Sequence, residues 1–105
     1  MDETVRQQIA AFVAERDWSQ FHTTENLAKS IAIEAGELLE CFQWNADADE
    51  SRVREELADV LTYCILLADR IGADLNQIVL DKLAMTGEKY PVEKARGRSR
   101  KYDDL

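Results

Sequence analysis

Apolar residues recur every three or four positions along most of this chain, which is the spacing of one face of an α-helix. A first helix is predicted over residues 3–16, where four apolar residues keep that spacing: Val5, Ile9, Phe12 and Val13. An aromatic connector from Trp18 to His22 follows it. No segment alternates with a period of two residues, so the pattern predicts an all-α protein.

Three more helices follow from the same pattern and from residues that start or stop helices. Thr23 or Thr24 can cap a second helix that runs to about Trp44, a third spans about residues 51–71, and a fourth follows Asp74. Pro91 opposes further helix, so we expect an extended tail from Pro91 to Leu105. The connectors are short, and the expected architecture is therefore a four-helix bundle with mostly antiparallel neighbours and an extended C-terminal tail.

Two pairs of acids interrupt the apolar stripes of the second and third helices. The pairs are Glu34 with Glu37 and Glu56 with Asp59, and a spacing of i, i+3 places both members of a pair on one helix face. Ionised carboxylates are rare on a core-facing stripe unless they are paired or hold a cation. Four oxygen donors on facing helices suggest a divalent metal site, with Mg²⁺ as the first candidate.

Two plainer interpretations of these acids stay open. The first is salt bridging on the helix surface, with Arg52 and Arg54 as partners. The second is an EF-hand calcium loop, because the linker and third helix match ligand positions 1, 3, 5 and 12 with Asn45, Asp47, Asp49 and Glu56. Position 6 argues against the EF-hand, since Glu50 stands where the sharp turn needs Gly.

Composition and charge narrow the class of protein. The chain has 105 residues, of which 46% are hydrophobic and 32% charged, as expected for one soluble helical domain. Its net charge of −8 argues against nucleic acid as a partner and suits a protein that binds cations. Residues 94–101 nevertheless carry five Lys or Arg residues, either as a solvated tail or as a clamp for phosphate.

The chain also suggests its location and the state of its cysteines. No signal-like run or membrane-length apolar stretch is present, so we expect a cytoplasmic protein without a membrane partner. Cys41 and Cys64 lack CxxC spacing and are expected to be reduced thiols in the core.

The residues resemble the MazG-like, all-α nucleoside triphosphate (NTP) pyrophosphohydrolases, and the dCTP pyrophosphatase branch in particular. The acids follow the pattern Glu34-x-x-Glu37, 18 residues, Glu56-x-x-Asp59. The agreement covers nearly the whole chain and includes Glu15-Arg-Asp-Trp18-x-x-Phe21-His22, Asn26-Leu27, Gly36-Glu-Leu38, Phe42-Gln-Trp44, Glu55-Glu-Leu-x-Asp-Val60, Tyr63, Lys82, Tyr90-Pro91, Arg96-Gly97 and Lys101-Tyr102.

The resemblance implies hydrolysis of a (deoxy)nucleoside triphosphate, dCTP or a modified dCTP, to the monophosphate and pyrophosphate. The expected cofactor is Mg²⁺, for which Mn²⁺ could substitute. The implied metal ligands are Glu34, Glu37, Glu56 and Asp59, and Glu37 is our choice for orienting the attacking water. The family also implies a homo-oligomer, a dimer or a dimer of dimers, which suits helices with apolar residues around much of their circumference.

The implied substrate-binding positions include four aromatic residues that match the family's base pocket: Trp18, Phe21, Trp44 and Tyr63. Aromatic faces stack on any base, so they hold a nucleotide without choosing it. The remaining expected positions are His22, Lys82, Thr86, Tyr90, Arg96, Lys101 and Tyr102. Thr86 stands where this branch often has Asn, which leaves the base preference open.

Two other functions stay open on the sequence alone. A related phosphohydrolase would act on dUTP or phosphoribosyl-ATP. A protein of a different class would be a non-catalytic helical interaction module whose acids hold a structural metal ion.

Overall fold

The computed structural model describes residues 2–105, and all regular structure in that range is helical. There are five α-helices, namely α1 (Glu3–Glu15), α2 (Thr24–Glu40), α3 (Glu50–Arg70), α4 (Leu75–Lys89) and α5 (Val92–Ala95). Two short 3₁₀-helices occupy Ser19–Phe21 and Tyr102–Asp104. The predicted all-α class is confirmed, and the starts of the four long helices agree with the sequence pattern to within about one residue.

Each long helix starts where a side-chain oxygen accepts a hydrogen bond from a backbone N–H of the first turn. The four capping residues are Asp2, Thr23, Asp49 and Asp74. A cap of this kind satisfies a backbone donor that has no partner within the helix, and its loss costs about 1 kcal/mol. Local chemistry therefore fixes where α2 and α3, the helices with the acidic pairs, begin.

Two predicted boundaries are wrong. Helix α2 ends at Glu40 rather than near Trp44, because the next residues form tighter turns in which Phe42 N donates to Leu39 O and Gln43 N donates to Glu40 O. The Trp44 side chain is 89% exposed, so no packing extends the helix to it.

The C-terminal tail is not extended throughout, since it contains α5 and the second 3₁₀-helix. Pro91 has no N–H to donate, but its carbonyl accepts hydrogen bonds from Lys94 N and Ala95 N and so starts α5. The glycine at position 97 has a φ of 74°, a left-handed conformation that ends the helical segment.

The chain divides into two compact units, one up to Ala73 and the other from Asp74 to Leu105. In the first unit α2 packs along α3, and α1 contacts α3. Its buried apolar core draws on all three helices through Val13, Leu27, Ile65 and Ala68.

The second unit comprises α4, α5 and the second 3₁₀-helix. The ring of Tyr102 meets that of Tyr90 edge to face, with centroids 6.1 Å apart, and Lys89 Nζ lies 4.8 Å from the Tyr102 ring centre. Across residues 2–105, none of the helices combines the length and the apolar character needed to cross a membrane.

Candidate active site

Acids from α2 and α3 meet in the first unit. Glu34 of α2 and Glu56 and Asp59 of α3 each present a carboxylate oxygen, and these three oxygens lie within 4.8 Å of one another. The spacing of i, i+3 places Glu56 and Asp59 on one face of α3, and their proximity to Glu34 shows that this face is turned towards α2. The convergence predicted for these three acids is therefore present in the fold.

Two oxygens of this acid cluster are buried without a partner. Glu34 Oε2 and Glu56 Oε2 are shielded from solvent, and neither forms a hydrogen bond with any of residues 2–105. A buried acceptor without a partner is costly, and more so when it carries charge. Carboxylate oxygens are hard donors that suit Mg²⁺, so the residues present fit a divalent cation.

Burial and repulsion disfavour ionisation in the cluster. Burial raises the pKa of Glu34 above the ordinary value of 4.5, and the neighbouring carboxyls of Glu37, Asp59 and Glu56 raise it further. Burial is also the main cause that raises the pKa of Glu56, with Glu37 and Asp59 adding to it and Arg52 opposing. A bound cation would reverse this balance by favouring the ionised forms.

Glu37, the fourth predicted metal ligand, does not belong to the group formed by the other three. Its carboxyl lies beside those of Glu34 and Glu56, but its side chain is exposed and stands outside the tight group of three. The site thus has the acid cluster of three carboxyls, with the Glu37 carboxyl beside it on the solvent side.

The structure argues against the two plainer interpretations of these acids. Arg54 pairs with Glu50 at 2.7 Å, and no salt bridge between residues of the described chain includes an acid of the cluster. Asn45 and Asp49 use their side-chain oxygens on nearby backbone N–H groups, as turn and cap. Asp49 is therefore occupied as a helix cap. The Glu56 carboxylate lies next to Glu34 of α2 rather than in a calcium-binding loop.

A cavity of about 480 Å³ opens beside the acid cluster. The apolar face of α1 forms one wall, and α3 forms another with Thr62, Tyr63 and Leu66. Asp59 belongs both to the acid cluster and to the cavity lining, so a molecule in the cavity would lie next to the carboxylates. Three residues predicted to bind substrate line this cavity, namely Trp18, His22 and Tyr63.

A tight turn after α1 places Trp18 at the cavity. Asp17 adopts a positive φ of 53°, and Gln20 Nε2 donates to both its carbonyl and its carboxylate. The Trp18 ring then meets the Phe12 ring edge to face, with centroids 5.7 Å apart. The Arg16 guanidinium lies 3.5 Å from the Phe12 ring centroid and 6.0 Å from that of Trp18, so it stacks on this aromatic pair.

Other predicted positions do not line this cavity. Phe21 is 59% exposed in the 3₁₀-helix, and Trp44 is exposed in the turn after α2. Six predicted residues belong to the second unit, where their binding role stays a prediction: Lys82, Thr86, Tyr90, Arg96, Lys101 and Tyr102.

The sequence reading missed two polar residues that line the cavity, Gln8 and Thr62. Gln8 lies four residues before Phe12, and Thr62 lies three residues after Asp59, so each shares a helix face with a recognised residue. Helical spacing identifies Gln8 if the apolar face of α1 is a cavity wall rather than core, and it identifies Thr62 if the same holds for the Asp59 face of α3.

Comparisons with known proteins agree with this arrangement. The model of the family described as MazG-like matches residues 29–105. Proteins named dCTP pyrophosphatase 1 from Rattus norvegicus and Homo sapiens are each 42% identical to the chain, in alignments of 113 positions that cover 98% of this chain. The chain spans 66% of the length of those relatives.

A solved structure supports the same relationship. The crystal structure of a pyrophosphatase from Archaeoglobus fulgidus DSM 4304 superposes with a TM-score of 0.78 and 38% sequence identity. The match covers 85% of this chain and 91% of that one.

Proposed function

This chain belongs to the MazG-like family, and on that premise we propose that it is a nucleoside triphosphate diphosphatase. The proposed reaction converts a deoxynucleoside triphosphate and water to the monophosphate and pyrophosphate, in the presence of Mg²⁺. The observation that carries this proposal is the acid cluster with two unpartnered buried oxygens beside an aromatic-lined cavity. The acid cluster suits a metal ion and the phosphates, and the cavity suits a nucleobase.

The chemistry of the cluster supports a metal role. Glu34, Glu56 and Asp59 would hold the ion, with Glu37 at the edge of the site. When bound, a divalent ion supplies positive charge that neutralises the triphosphate and polarises its phosphoryl oxygens. Without a metal ion the carboxylates would repel a triphosphate, because both groups are negatively charged.

Glu37 is our candidate for positioning the attacking water. Its exposed carboxyl can accept a hydrogen bond from a water molecule while it stays beside the inner acids. The water oxygen forms a bond to the α-phosphorus, and the bond from that phosphorus to the α–β bridging oxygen breaks. Pyrophosphate leaves, and the proton lost by water passes to the carboxylate and then to solvent.

The cavity supports recognition of a nucleobase. Its volume of about 480 Å³ falls in the range of small-molecule sites. Trp18, Phe12 and Tyr63 offer aromatic surface on which a base can stack. The relatives named dCTP pyrophosphatase 1 make dCTP, or a modified dCTP, the first substrate to test.

We also propose that the active form is a homo-oligomer, a dimer or a dimer of dimers. The helices that bear the acids expose large apolar side chains, including Ile33 at 62% and Leu39 at 72% on α2 and Leu57 at 46% on α3. Exposed apolar surface of this kind is typical of an interface, and a second copy of the chain would cover it. Light scattering should show a dimer or tetramer, and a stable monomer at micromolar concentration would contradict this proposal.

A panel of nucleotides tests the proposed activity. The purified protein is incubated with Mg²⁺ and with dCTP, dUTP, the other deoxynucleoside triphosphates or phosphoribosyl-ATP, and released pyrophosphate is measured. We expect release from dCTP that stops when EDTA removes the metal. Release only from dUTP or only from phosphoribosyl-ATP would reassign the substrate, and no release from any nucleotide would favour a non-catalytic metal-binding module.

A further inference from the structure

Most of the cavity wall cannot distinguish one base from another. Aliphatic and aromatic side chains contact the faces of all bases, whereas discrimination needs donors and acceptors directed at a base edge. Three polar side chains from outside the acid cluster line the cavity, namely His22 and, on the helices that form its walls, Gln8 of α1 and Thr62 of α3.

The hydroxyl of Thr62 has a defined polarity. Thr62 Oγ1 donates its proton to the carbonyl of Ala58, one turn earlier in α3, at 2.8 Å. A hydroxyl has a single proton, so while that proton is donated to Ala58 the Thr62 oxygen can only accept hydrogen bonds from a molecule in the cavity. An amino group on a base would be a partner for this oxygen, whereas a carbonyl oxygen would face it as a second acceptor.

The carboxamide of Gln8 is available to a ligand. Its neighbour Gln7 donates to Glu3, but Gln8 forms no side-chain hydrogen bond with any of residues 2–105. A carboxamide presents one acceptor and one donor group side by side and can rotate to exchange them. It can therefore pair with the edge of cytosine or of uracil, and it strengthens binding without choosing between them.

We propose that Gln8 and Thr62 form the base-reading pair of this site and that Thr62 makes it prefer a 4-amino pyrimidine to a 4-oxo pyrimidine. This inference deepens the proposed function and rests on it. Gln8 holds the ring edge of either base. Thr62 accepts from the exocyclic amino group of cytosine, and it repels the O4 oxygen of uracil or thymine.

Paired variants test the two roles separately. Thr62→Val keeps the side-chain shape and removes the acceptor, while Thr62→Ser keeps the hydroxyl. Gln8→Leu removes both groups of the amide, and Gln7→Leu is its matched control, because Gln7 does not line the cavity. Circular dichroism verifies the helical content of each variant.

The first readout is the ratio of kcat/KM for dCTP to that for dUTP. Thr62→Val should lower this ratio about tenfold, mainly through a higher KM for dCTP, and Thr62→Ser should retain it. Gln8→Leu should raise KM for both nucleotides by about tenfold with little change in the ratio, and Gln7→Leu should match the wild type. An unchanged ratio in Thr62→Val would overturn the proposal.

A second readout does not depend on turnover. Calorimetry measures the binding of dCMP and dUMP to the wild type and to Thr62→Val. The wild type should bind dCMP more tightly than dUMP, and Thr62→Val should bind the two with similar affinity. Equal binding of the two monophosphates by the wild type would overturn the inference even if dCTP is hydrolysed. Conversely, a lost dCMP preference in Thr62→Val would support it even if the nucleotide panel shows no hydrolysis and so refutes the proposed activity.

Discussion

Replacing Glu34 with Gln should change stability in opposite directions with and without metal. Burial and neighbouring carboxyls raise the pKa of Glu34 in the folded protein above its ordinary value of 4.5. When the pKa of a carboxyl is raised in the folded state, the protein loses stability as the pH rises towards and through that pKa. The ionised carboxylate therefore destabilises the folded state at neutral pH. Gln has nearly the same shape without the charge, and metal-free Glu34→Gln should therefore melt above the metal-free wild type at pH 7.5.

With Mg²⁺ the order should reverse. A ligand at 100 times its Kd stabilises the folded state by about 2.7 kcal/mol. Loss of one of three clustered carboxylates should weaken the affinity for Mg²⁺ about a hundredfold. This factor is the upper end of the loss that substitutions around metal ligands cause. The same Mg²⁺ concentration then equals Kd, and the stabilisation falls to about 0.4 kcal/mol. For a domain of this size the shift in Tm should drop from roughly 10–20 °C to about 2–3 °C.

Thermal melting by circular dichroism, with EDTA or with Mg²⁺, measures both effects. Glu40→Gln is the matched control, because Glu40 is exposed on the same helix outside the acid cluster, and it should follow the wild type in both buffers. The reasoning would be refuted if Glu34→Gln gained as much Tm from Mg²⁺ as the wild type. It would also be refuted if Glu34→Gln were less stable than the wild type in EDTA, since the carboxylate would then be favourable without a cation.

Three further predictions follow from the same structure. The Tm of the metal-free wild type should rise as pH is lowered from neutral towards 4.5, the ordinary carboxyl pKa, because burial and neighbouring carboxyls raise the pKa values of Glu34 and Glu56 in the folded protein. Saturating Mg²⁺ should abolish that rise, and a Tm that falls over this range without metal would contradict the prediction. Arg16→Ala should raise KM for dCTP severalfold with kcat nearly unchanged, since Arg16 stacks on Phe12, which lines the cavity. Steady-state kinetics with unchanged KM would contradict that role. Deletion of residues 92–105 removes the five Lys or Arg residues of the basic run and should raise KM for the triphosphate strongly. The effect should be largest at low salt, where the attraction between these residues and the phosphates is least screened. An unchanged KM in a folded truncated protein would identify the basic run as a solvated tail.

Sequence predicted what local chemistry controls. The helix starts at Thr23 and Asp74 depend on hydrogen bonds within one turn, so the residues that form them are recognisable without the fold. The convergence of Glu34 with Glu56 and Asp59 was also predictable, because helical spacing fixes the face that each acid occupies.

Tertiary packing decided what the sequence could not. Trp18 and Trp44 are the same residue type, yet one lines the cavity and the other is 89% exposed, because only Trp18 follows a turn that returns it to α1. Gln8 and Thr62 look like ordinary helix residues until α1 and α3 are placed on either side of one cavity. Helical spacing identifies the residues that share a face, but it does not show whether that face meets core, cavity or solvent.

The products formed from dCTP in ¹⁸O-labelled water test the central claim most directly. We expect the wild type with Mg²⁺ to give dCMP and pyrophosphate in equal amounts, with the label in the phosphate of dCMP, because water attacks the α-phosphorus. Phosphorus NMR and mass spectrometry read both results from one reaction, with Glu34→Gln as the inactive comparison. Formation of dCDP and orthophosphate, or label in the pyrophosphate, would contradict the proposed reaction.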